Sequence, residues 1–360
     1  MTIHIRMAHR ESAFFDALSG FQLAELPVGT WKISDEPAQS CLVGPAFFDP
    51  QVNGFAGVDF QDPSLDAEGL HHAVEAIHRS GCSHFLITLI TQSAEALECQ
   101  FRKLDGILSS HAELAQWIPG FHLEGPFLSP EDGYRGAHPL EHLARPDTGL
   151  YEKLQTASGD RIRLLTVAPE LEGCLELIRS VSSRGICVAL GHTNADFMTL
   201  ARAWQAGASM FTHLGNGCAL NIPRHDNIIQ RVLALPGLMV SLIPDGIHLP
   251  PFVVSNLIKG LGPERTLFTT DAMSAAGAPP GEYSLGSLKV AVGGDRVVRL
   301  PGTGILAGSS LRMIDGFYNA ARFGGIGAGQ AWRSWSRLHN LFNPGAEIPL
   351  IAVPFPAGPG

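Results

Sequence analysis

The sequence predicts an α/β protein built on a (β/α)₈ barrel, and three observations lead to that fold class. Eight short apolar runs divide the chain, longer segments of helical period separate them, and polar side chains follow most of the runs. The runs lack strict alternation of polar and apolar residues, as expected for parallel strands that are covered on both faces. They are residues 46–49, 84–88, 118–123, 163–168, 186–190, 209–212, 239–242 and 266–270.

The segments between the runs have the features of amphipathic helices. Residues 66–80 place Leu70, Val74 and Ile77 on one face and are followed by Gly81, a typical helix C-cap. Strand–helix alternation repeated eight times favours a barrel over a doubly wound sheet, and no G-x-G-x-x-G motif follows an early run. Three further segments end at a glycine in the same way: 171–184 at Gly185, 196–206 at Gly207 and 251–259 at Gly260.

The composition is that of a globular protein with a large core and an acidic balance of charge. The chain has 360 residues, of which 45% are hydrophobic and 16% charged, and a formal net charge of −9. Binding along a nucleic acid needs a clustered excess of Lys and Arg, so we expect no nucleic-acid partner. No apolar run reaches the length of about 18 residues that a membrane helix needs, so we expect no membrane partner.

The cysteines and the first residues bear on the cellular compartment. None of the six cysteines forms a C-x-x-C pair, and several stand in apolar runs, which indicates reduced thiols in a protein core. The first ten residues lack the apolar core of a signal peptide. Both observations predict a cytoplasmic protein.

Side chains that can bind a metal ion or carry a proton stand directly after the predicted strands. Glu124 follows the third run, His192 the fifth, His213 the sixth and Asp271 the eighth. In a barrel the carboxyl ends of the strands meet at one face, where active sites are assembled. One carboxylate and two imidazoles suit Zn²⁺, Fe²⁺ or a similar ion and leave a coordination position open. The pattern therefore predicts a metal site, with Asp271 beside it as general base and acid.

Each of these residues has a purely structural interpretation when it is taken alone. A single histidine after a strand is more often a hydrogen-bonded packing residue than a metal ligand. A Glu-Gly-Pro turn can serve only to shape a loop. The metal site is favoured because all four residues stand at strand ends that were predicted independently from hydrophobicity.

A series of ordered motifs carries a family resemblance. In chain order the motifs are Gln51-Val-Asn53-Gly, His122-Leu-Glu124-Gly-Pro-Phe, Arg135-Gly-Ala-His138, Gly191-His192-Thr, Thr212-His213-Leu-Gly-Asn216, Asp245-Gly-Ile-His248, Thr270-Asp271-Ala-Met and Leu306-Ala307-Gly308-Ser309. The series spans residues 44–322 and resembles the N-acetylglucosamine-6-phosphate deacetylases of the amidohydrolase superfamily. The resemblance implies a hydrolase that cleaves the linear amide of N-acetylglucosamine 6-phosphate to give glucosamine 6-phosphate and acetate.

The resemblance also implies one divalent metal ion per subunit, held by Glu124, His192 and His213. Many amidohydrolases carry His-x-His after the first strand, whereas this chain has Gln51 and Asn53 there. This difference removes two imidazole ligands from the more buried metal position, so we expect the two amides to lie beside a single ion. Zn²⁺ is the first candidate, and the same ligands accept Fe²⁺, Co²⁺ or Mn²⁺.

Contacts to the substrate follow from the resemblance as well. His138, with Ala137 beside it, would contact sugar hydroxyls or the acyl carbonyl. Arg224 would hold the phosphate, because a guanidinium group forks onto phosphate oxygens. The alternative for Arg224 is an ion pair with nearby Asp226. The other implied contacts to the phosphate and the sugar are Asn216, Gly217, His248, Leu306, Ala307 and Gly308.

Two other functions stay open. Residues 215–226 depart from the usual sequence of the family in this loop, so the substrate could be another N-acyl amino sugar or a related amide. A protein of another class would bind a sugar phosphate without hydrolysing it. In either case the partner is a small molecule, and the resemblance implies a homodimer in which Arg224 can serve the neighbouring subunit.

The two chain ends are expected to form a second, smaller unit. Family members pair strands from both ends in a small β-sandwich. We expect residues 1–44 to belong to such a domain, with candidate strands around 3–7 and 30–33, and residues 45–323 to form the catalytic barrel. Residues 324–360 are rich in Gly, Pro and Trp without a steady period, which predicts an irregular segment or a further part of the small domain. The small domain should therefore be reduced, rearranged or partly disordered.

Overall fold

Seventeen strand segments, eleven α-helices and one short 3₁₀ helix, Leu140–His142, form the regular structure of the described residues. The computed structural model describes residues 3–4, 31–32 and 41–354. The strands are β1 (Ile3–His4), β2 (Trp31–Lys32), β3 (Cys41–Pro45), β4 (Phe47–Val52), β5 (Gly54–Phe55), β6 (Val58–Asp59), β7 (Cys82–Ile90), β8 (Gly120–Glu124), β9 (Ile162–Val167), β10 (Cys187–Leu190), β11 (Met210–Phe211), β12 (Met239–Leu242), β13 (Thr266–Phe268), β14 (Gly281–Leu285), β15 (Leu288–Val292), β16 (Val298–Arg299) and β17 (Leu350–Pro354). The helices are α1 (Ala67–Arg79), α2 (Ala94–Ser110), α3 (Ala112–Ala115), α4 (Thr148–Ala157), α5 (Cys174–Ser182), α6 (Phe197–Gln205), α7 (Ile228–Ala234), α8 (Pro251–Leu261), α9 (Met313–Gly324), α10 (Ala328–Ser336) and α11 (Leu338–Phe342).

Eight parallel strands form the centre of the molecule. They pair in the order β4, β7, β8, β9, β10, β11, β12 and β13, so each strand lies beside the next barrel strand in the chain. A parallel bridge between Val52 and Ala272 joins the two outer strands and closes the ring. The predicted (β/α)₈ barrel is therefore confirmed, and each of the eight apolar runs contributes one strand.

The strands are buried on both faces, which explains why their sequences do not alternate. Every residue of β4, β7 and β8 is buried. The polar residues among them bond to one another inside the barrel: His122 lies 2.7 Å from the Thr166 hydroxyl and 3.4 Å from that of Thr88. Burial lowers the pKa of His122 to about 4, so this histidine is a neutral packing residue beneath the mouth.

Two of the predicted helices begin at aspartate caps. Asp66 accepts a hydrogen bond from the backbone N–H of Gly69 at 2.9 Å, and Asp196 accepts one from Thr199 at 2.7 Å. Each carboxylate satisfies an N–H of the first turn that has no partner within the helix. The caps are local features, so the sequence alone was enough to place the starts of α1 and α6.

The predicted end of α8 and the predicted start of α5 were wrong. Helix α8 runs through Gly260 to Leu261, because Leu261 is buried and the apolar face continues one residue beyond that glycine. It ends at Gly262, which has a φ of 75°. Helix α5 begins at Cys174, directly after Gly173 with a φ of 84°, and not at residue 171.

Helix α11 closes the amino-terminal end of the barrel. Its Leu338 and Phe342 belong to one apolar cluster with residues that point into the barrel, and Phe342 stacks on Phe48 with ring centroids 5.5 Å apart. The barrel residues of this cluster are Phe48, Leu86, Leu164, Ala189, Met210 and Leu267. The carboxyl ends of the strands are therefore left as the open end.

A three-stranded antiparallel sheet of β14, β15 and β16 is inserted between β13 and α9. The sequence analysis did not predict it. Its buried side chains, among them Leu285, Val290 and Val298, pack in one cluster with Ile90 and Met273 at the ends of two barrel strands. The insertion therefore lies over the mouth of the barrel and forms part of its wall.

The chain ends meet in a small sheet, as expected, but helices also form there. Strand β17 pairs antiparallel with β3, from Leu350 opposite Pro45 to Pro354 opposite Cys41. Residues 328–342 form α10 and α11, where the sequence showed no steady period. The candidate strands near the amino terminus are described only as the short parallel pair β1–β2, and most of residues 1–44 lies outside the described ranges. The boundaries at residues 44 and 324 stay predictions.

Helix α10 should contribute strongly to the stability of the barrel. Trp332 is 2% exposed, donates from Nε1 to the carbonyl of Pro45 at 2.8 Å, and packs against Phe47. We expect Trp332→Ala to lower the free energy of unfolding by about 3–5 kcal/mol, because it opens a cavity and leaves a carbonyl without its donor. Urea unfolding followed by circular dichroism measures the change. Trp204→Ala is the control, because that side chain is 39% exposed, and equal losses in the two variants would contradict the prediction.

Candidate active site

A cavity of about 950 Å³ opens at the carboxyl ends of the barrel strands. Glu124, His192, His213 and Asp271 line it, together with the loops that follow β8 and β11. Leu285 and residues 304–308 line the opposite wall, which the inserted sheet brings over the mouth. The predicted strand-end residues therefore share one cavity with residues that are far from them in sequence.

Glu124, His192 and His213 form a buried group that can hold one metal ion. Their potential ligand atoms all lie within 4.8 Å of one another. Glu124 Oε1 lies 3.0 Å from His213 Nε2 and 3.3 Å from His192 Nε2. A carboxylate with two neutral imidazoles is a donor set that suits Zn²⁺ and similar divalent ions, and it leaves a coordination position for water or substrate.

The orientation of His192 fits a ligand role. Its Nδ1 lies 2.9 Å from the carbonyl oxygen of Tyr134, which can only accept a hydrogen bond, so the ring carries its proton on Nδ1. Nε2 faces Glu124 Oε1 at 3.3 Å, where it donates to the carboxylate when it carries a second proton and offers its lone pair to a metal ion when it does not. Gly217 lies against the same ring: a Cβ there would stand 2.8 Å from Nδ1, so no larger residue fits without moving the imidazole.

Three residues of the site adopt a backbone conformation that is rare for side chains with a Cβ. The φ angles of His192, His213 and Asp271 are 50°, 31° and 49°. Non-glycine residues in this left-handed region cost of the order of 1 kcal/mol or more and cluster at functional sites. In each case the unusual turn occurs directly after a barrel strand and directs the side chain into the mouth.

Gln51 and Asn53 link the metal-site carboxylate to Asp271. The Gln51 amide donates from Nε2 to Glu124 Oε2 at 2.9 Å and to Asp271 Oδ1 at 3.0 Å. Asn53 donates from Nδ2 to Asp271 Oδ1 at 2.8 Å. Because the acceptors are carboxylate oxygens, both amides must present their NH₂ groups. An NH₂ group is no metal ligand, so neither amide offers a ligand atom through these contacts.

Burial and charge shift the pKa values of the two carboxylates in opposite directions. Burial acts to raise the pKa of Glu124, but the hydrogen bonds and charges of His192 and His213 outweigh it and hold that pKa well below its usual range. Burial raises the pKa of Asp271 to about 6, and the charge of Glu124 acts in the same direction. Glu124 is therefore suited to stay ionised as a ligand, whereas Asp271 is suited to accept and return a proton near neutral pH.

Two further histidines of the motifs are oriented by neighbours that the sequence analysis did not assign. His138 Nδ1 lies 2.8 Å from the hydroxyl of Thr91, and burial lowers the pKa of His138 to about 3, so its ring is neutral. His248 Nδ1 lies 2.6 Å from Asp245 Oδ2. Thr91 follows the end of β7, so its position at a strand end was a signal that could have identified it. The carbonyl of Tyr134 could not have been found, because it acts through the backbone.

Most of the predicted substrate contacts line the same cavity, but Arg224 does not. The lining includes Ala137, His138, Asn216, Gly217, His248, Leu306, Ala307 and Gly308. Arg224 is exposed and stands outside the lining. The alternative ion pair with Asp226 is not formed: among the described residues Asp226 pairs with Arg231, at 2.6 Å. Arg224 therefore makes no part of the cavity wall in this chain.

The chain resembles known proteins over most of its length. No protein-family model matches it. It is 33% identical over 322 residues to the N-acetylglucosamine-6-phosphate deacetylase of Bacillus subtilis (strain 168), a match that covers 87% of this chain and 76% of that protein. It is also 33% identical over 288 residues to the Bos taurus protein of the same name, covering 77% of this chain and 69% of that one.

The chain belongs to the N-acetylglucosamine-6-phosphate deacetylase family. Solved structures agree with this assignment. A mutant of N-acetyl-D-glucosamine-6-phosphate deacetylase from Mycobacterium smegmatis, in complex with N-acetyl-D-glucosamine-6-phosphate, superposes with a TM-score of 0.78 at 30% identity and covers 89% of this chain and 86% of that one. The deacetylase from Thermotoga maritima superposes with a TM-score of 0.74 at 27% identity. The deacetylase family predicted from the motifs is therefore confirmed.

Glu124 should be required for metal binding in this deacetylase family member. We expect Glu124→Gln to lose most of its bound divalent metal, because a neutral amide replaces the charged ligand between the two imidazoles. Elemental analysis of the purified protein measures the metal per subunit. Glu98→Gln is a matched control, because Glu98 is a largely buried carboxylate that pairs with Lys153 away from the mouth. Full metal occupancy in Glu124→Gln would contradict the assignment.

Proposed function

We propose that this protein removes the acetyl group from N-acetylglucosamine 6-phosphate to give glucosamine 6-phosphate and acetate. The observation that carries this proposal is the buried group of Glu124, His192 and His213 beside Asp271 at the mouth of the barrel. The names of its relatives support the substrate.

We propose that Glu124, His192 and His213 hold one divalent ion, with Zn²⁺ as the first candidate and Fe²⁺, Co²⁺ or Mn²⁺ as alternatives. When bound, such an ion would polarise the acetamide carbonyl and lower the pKa of a water molecule beside it. A single ion is supported by the NH₂ groups of Gln51 and Asn53, which face the carboxylates where further ligands would be needed.

Asp271 is proposed to carry the proton of the reaction. It takes a proton from the attacking water as the carbon–oxygen bond forms and returns it to the amine nitrogen as the carbon–nitrogen bond breaks. Its raised pKa of about 6 suits both steps. His138 would stabilise the developing oxyanion: with the Thr91 hydroxyl donating to Nδ1, the neutral ring carries its proton on Nε2 and can donate it.

The sugar and its phosphate are proposed to bind along the loop that follows β11. Asn216 and Gly217 line the cavity there, and His248 lines it from the loop that follows β12. Arg224 is proposed to hold the phosphate of the neighbouring subunit in a homodimer. Its exposure supports this role, as does the fully exposed side chain of Leu220 on the same loop, which is unusual for a large apolar residue unless a partner covers it. Size-exclusion chromatography with light scattering measures the oligomeric state.

One of the similar proteins points to a second candidate substrate. The N-acetylgalactosamine-6-phosphate deacetylase of Escherichia coli O157:H7 is 32% identical to this chain, covering 81% of this chain and 75% of that protein. The two sugars differ only in the configuration of one ring hydroxyl, and residues 215–226 depart from the family pattern at the cavity. Both phosphosugars therefore belong in the substrate panel.

We propose a cytoplasmic location. The five cysteines whose side chains are described, Cys82, Cys99, Cys174, Cys187 and Cys218, are free thiols, which supports a reducing compartment. Among the described residues, no helix has both the length and the apolarity to cross a bilayer.

Asp271→Asn should reduce turnover without removing the metal. We expect kcat to fall by about 10²–10⁴-fold, because the amide can neither accept nor return the proton, while metal content stays near that of the wild type. Acetate release and elemental analysis measure the two properties. Asp132→Asn is the control, because its exposed carboxylate lines the cavity but belongs to no contact of the metal site. Retained turnover in Asp271→Asn would refute the assignment.

Arg224→Ala should weaken only the binding of phosphorylated substrates. We expect KM for N-acetylglucosamine 6-phosphate to rise by about tenfold or more, since a bidentate phosphate contact is lost. The rate with N-acetylglucosamine, which has no phosphate, should equal that of the wild type. Arg202→Ala, an exposed arginine on α6, is the control. Equal KM values for the two variants would exclude the phosphate role.

Binding of the sugars without acetate release from any of them would identify the chain as a binding protein without hydrolytic activity.

A further inference from the structure

We propose that Asp49 is a positioning residue for Asp271 and acts through the hydroxyl groups of Thr269 and Thr270. The inference rests on the proposed function, because it assigns Asp49 a role through the residue that carries the proton. Asp49 itself lines no part of the cavity and touches none of the proposed metal ligands. Its place is one level below the mouth, where the first and last strands of the barrel meet.

The carboxylate of Asp49 joins these two strands. It is 1% exposed and accepts hydrogen bonds from Thr269 Oγ1 at 2.8 Å, from Thr270 Oγ1, and from the backbone N–H of Thr270 at 3.2 Å. On its own strand it accepts from the N–H of Gln51 at 3.3 Å. Within the described residues β4 and β13 share no continuous ladder, and only the bridge between Val52 and Ala272 pairs this seam. The side chain therefore supplies cross-strand contacts that the main chain does not.

The two threonine hydroxyls pass this restraint on to Asp271. Thr269 Oγ1 accepts from the backbone N–H of Asp271 at 3.3 Å, and Thr270 Oγ1 accepts from the N–H of Ala272 at 3.1 Å. These N–H groups lie on either side of the Asp271 Cα, so the contacts restrain both of its backbone dihedrals. Asp271 needs the restraint, because its φ of 49° is unfavourable for a residue with a Cβ.

Ser309 supports the same peptide from the other side. Its backbone N–H donates to the carbonyl of Asp271 at 2.8 Å, and its hydroxyl donates to the carbonyl of Thr270. Ser309 ends the motif that begins at Leu306, and the substrate contacts expected of that motif do not include it. The backbone of Asp271 is thus held between the Asp49 contacts and Ser309, and its carboxylate faces the site.

An amide could not replace the Asp49 carboxylate in this network. The N–H of Thr270 lies 3.3 Å from Oδ1 and 3.2 Å from Oδ2, and the N–H of Gln51 lies next to Oδ1. In either orientation an asparagine would direct its NH₂ group at a backbone N–H. Donor would face donor, and the restraint on Thr270 would weaken.

The experiment removes single threonine hydroxyls in β13 and in the residues that directly follow it. Thr270→Val removes the hydroxyl that links Asp49 to the N–H of Ala272. We expect kcat to fall at least about tenfold. KM should stay within about twofold of the wild-type value, and metal content should not change. Thr270→Ser keeps the hydroxyl and should restore kcat. Thr266→Val is the matched control, because that buried threonine lies in β13, directly before Thr269 and Thr270, and its hydroxyl donates to the carbonyl of Gly262 rather than to this network. Asp49→Asn and Thr269→Val are the second set and should lower kcat in the same way.

The possible outcomes separate this inference from the proposed function. A kcat unchanged in both Thr270→Val and Asp49→Asn, or a loss that Thr266→Val shares, would overturn the positioning role. A parallel loss of metal or a rise in KM would also overturn it, because a general structural defect would then explain the result. The absence of acetate release by the wild-type protein would instead overturn the proposed function. Melting temperatures are compared for every variant, and any variant that does not fold is replaced by its partner in the second set.

Discussion

The carboxylate of Glu124 is almost completely removed from water at the mouth of the barrel, where an ionised group without partners would be very unfavourable. Two imidazoles and one amide meet this requirement. His192 and His213 approach one oxygen, and Gln51 donates to the other. The same surroundings that keep the carboxylate ionised also leave a gap between three ligand atoms that a divalent ion can fill. Stability of the buried charge and affinity for a cation thus depend on one arrangement.

Asp271, the proposed proton carrier, depends on that arrangement as well. Asp271 shares the Gln51 amide with Glu124 and receives a second amide from Asn53, so its Oδ1 is held near the site without a positive partner in direct contact. Burial and the charge of Glu124 raise its pKa, whereas an arginine or lysine at this position would have lowered it. The substitution of Gln51 and Asn53 for the usual histidines is therefore more than a loss of ligands. Through the Gln51 amide it joins the carboxylate of Glu124 to that of Asp271, the proposed proton carrier.

The strained backbone of the site requires a rigid scaffold. His192, His213 and Asp271 each leave their strands with a positive φ, which the surrounding contacts must enforce. Below them, neutral His122 and the hydroxyls of Thr88 and Thr166 fill the barrel with satisfied polar groups. At the amino-terminal end an apolar layer is completed by Leu338 and Phe342 of α11. The carboxy-terminal helices, which have no regular pattern in sequence, thus support the chemistry from the opposite end of the molecule.

The sequence by itself determined the eight strands, the starts of α1 and α6 and the four strand-end residues Glu124, His192, His213 and Asp271, because burial on both faces and helix ends leave local patterns. Only the tertiary structure decided which groups meet across the barrel. The Gln51 amide contacts carboxylates 73 and 220 residues away, and the proton of the His192 ring is placed by a backbone carbonyl that has no sequence signal. It also left Arg224 outside the cavity and brought an unpredicted sheet, through Leu285, to the cavity wall. Such contacts depend on how separate strands and loops pack in space, which no local pattern of residues records.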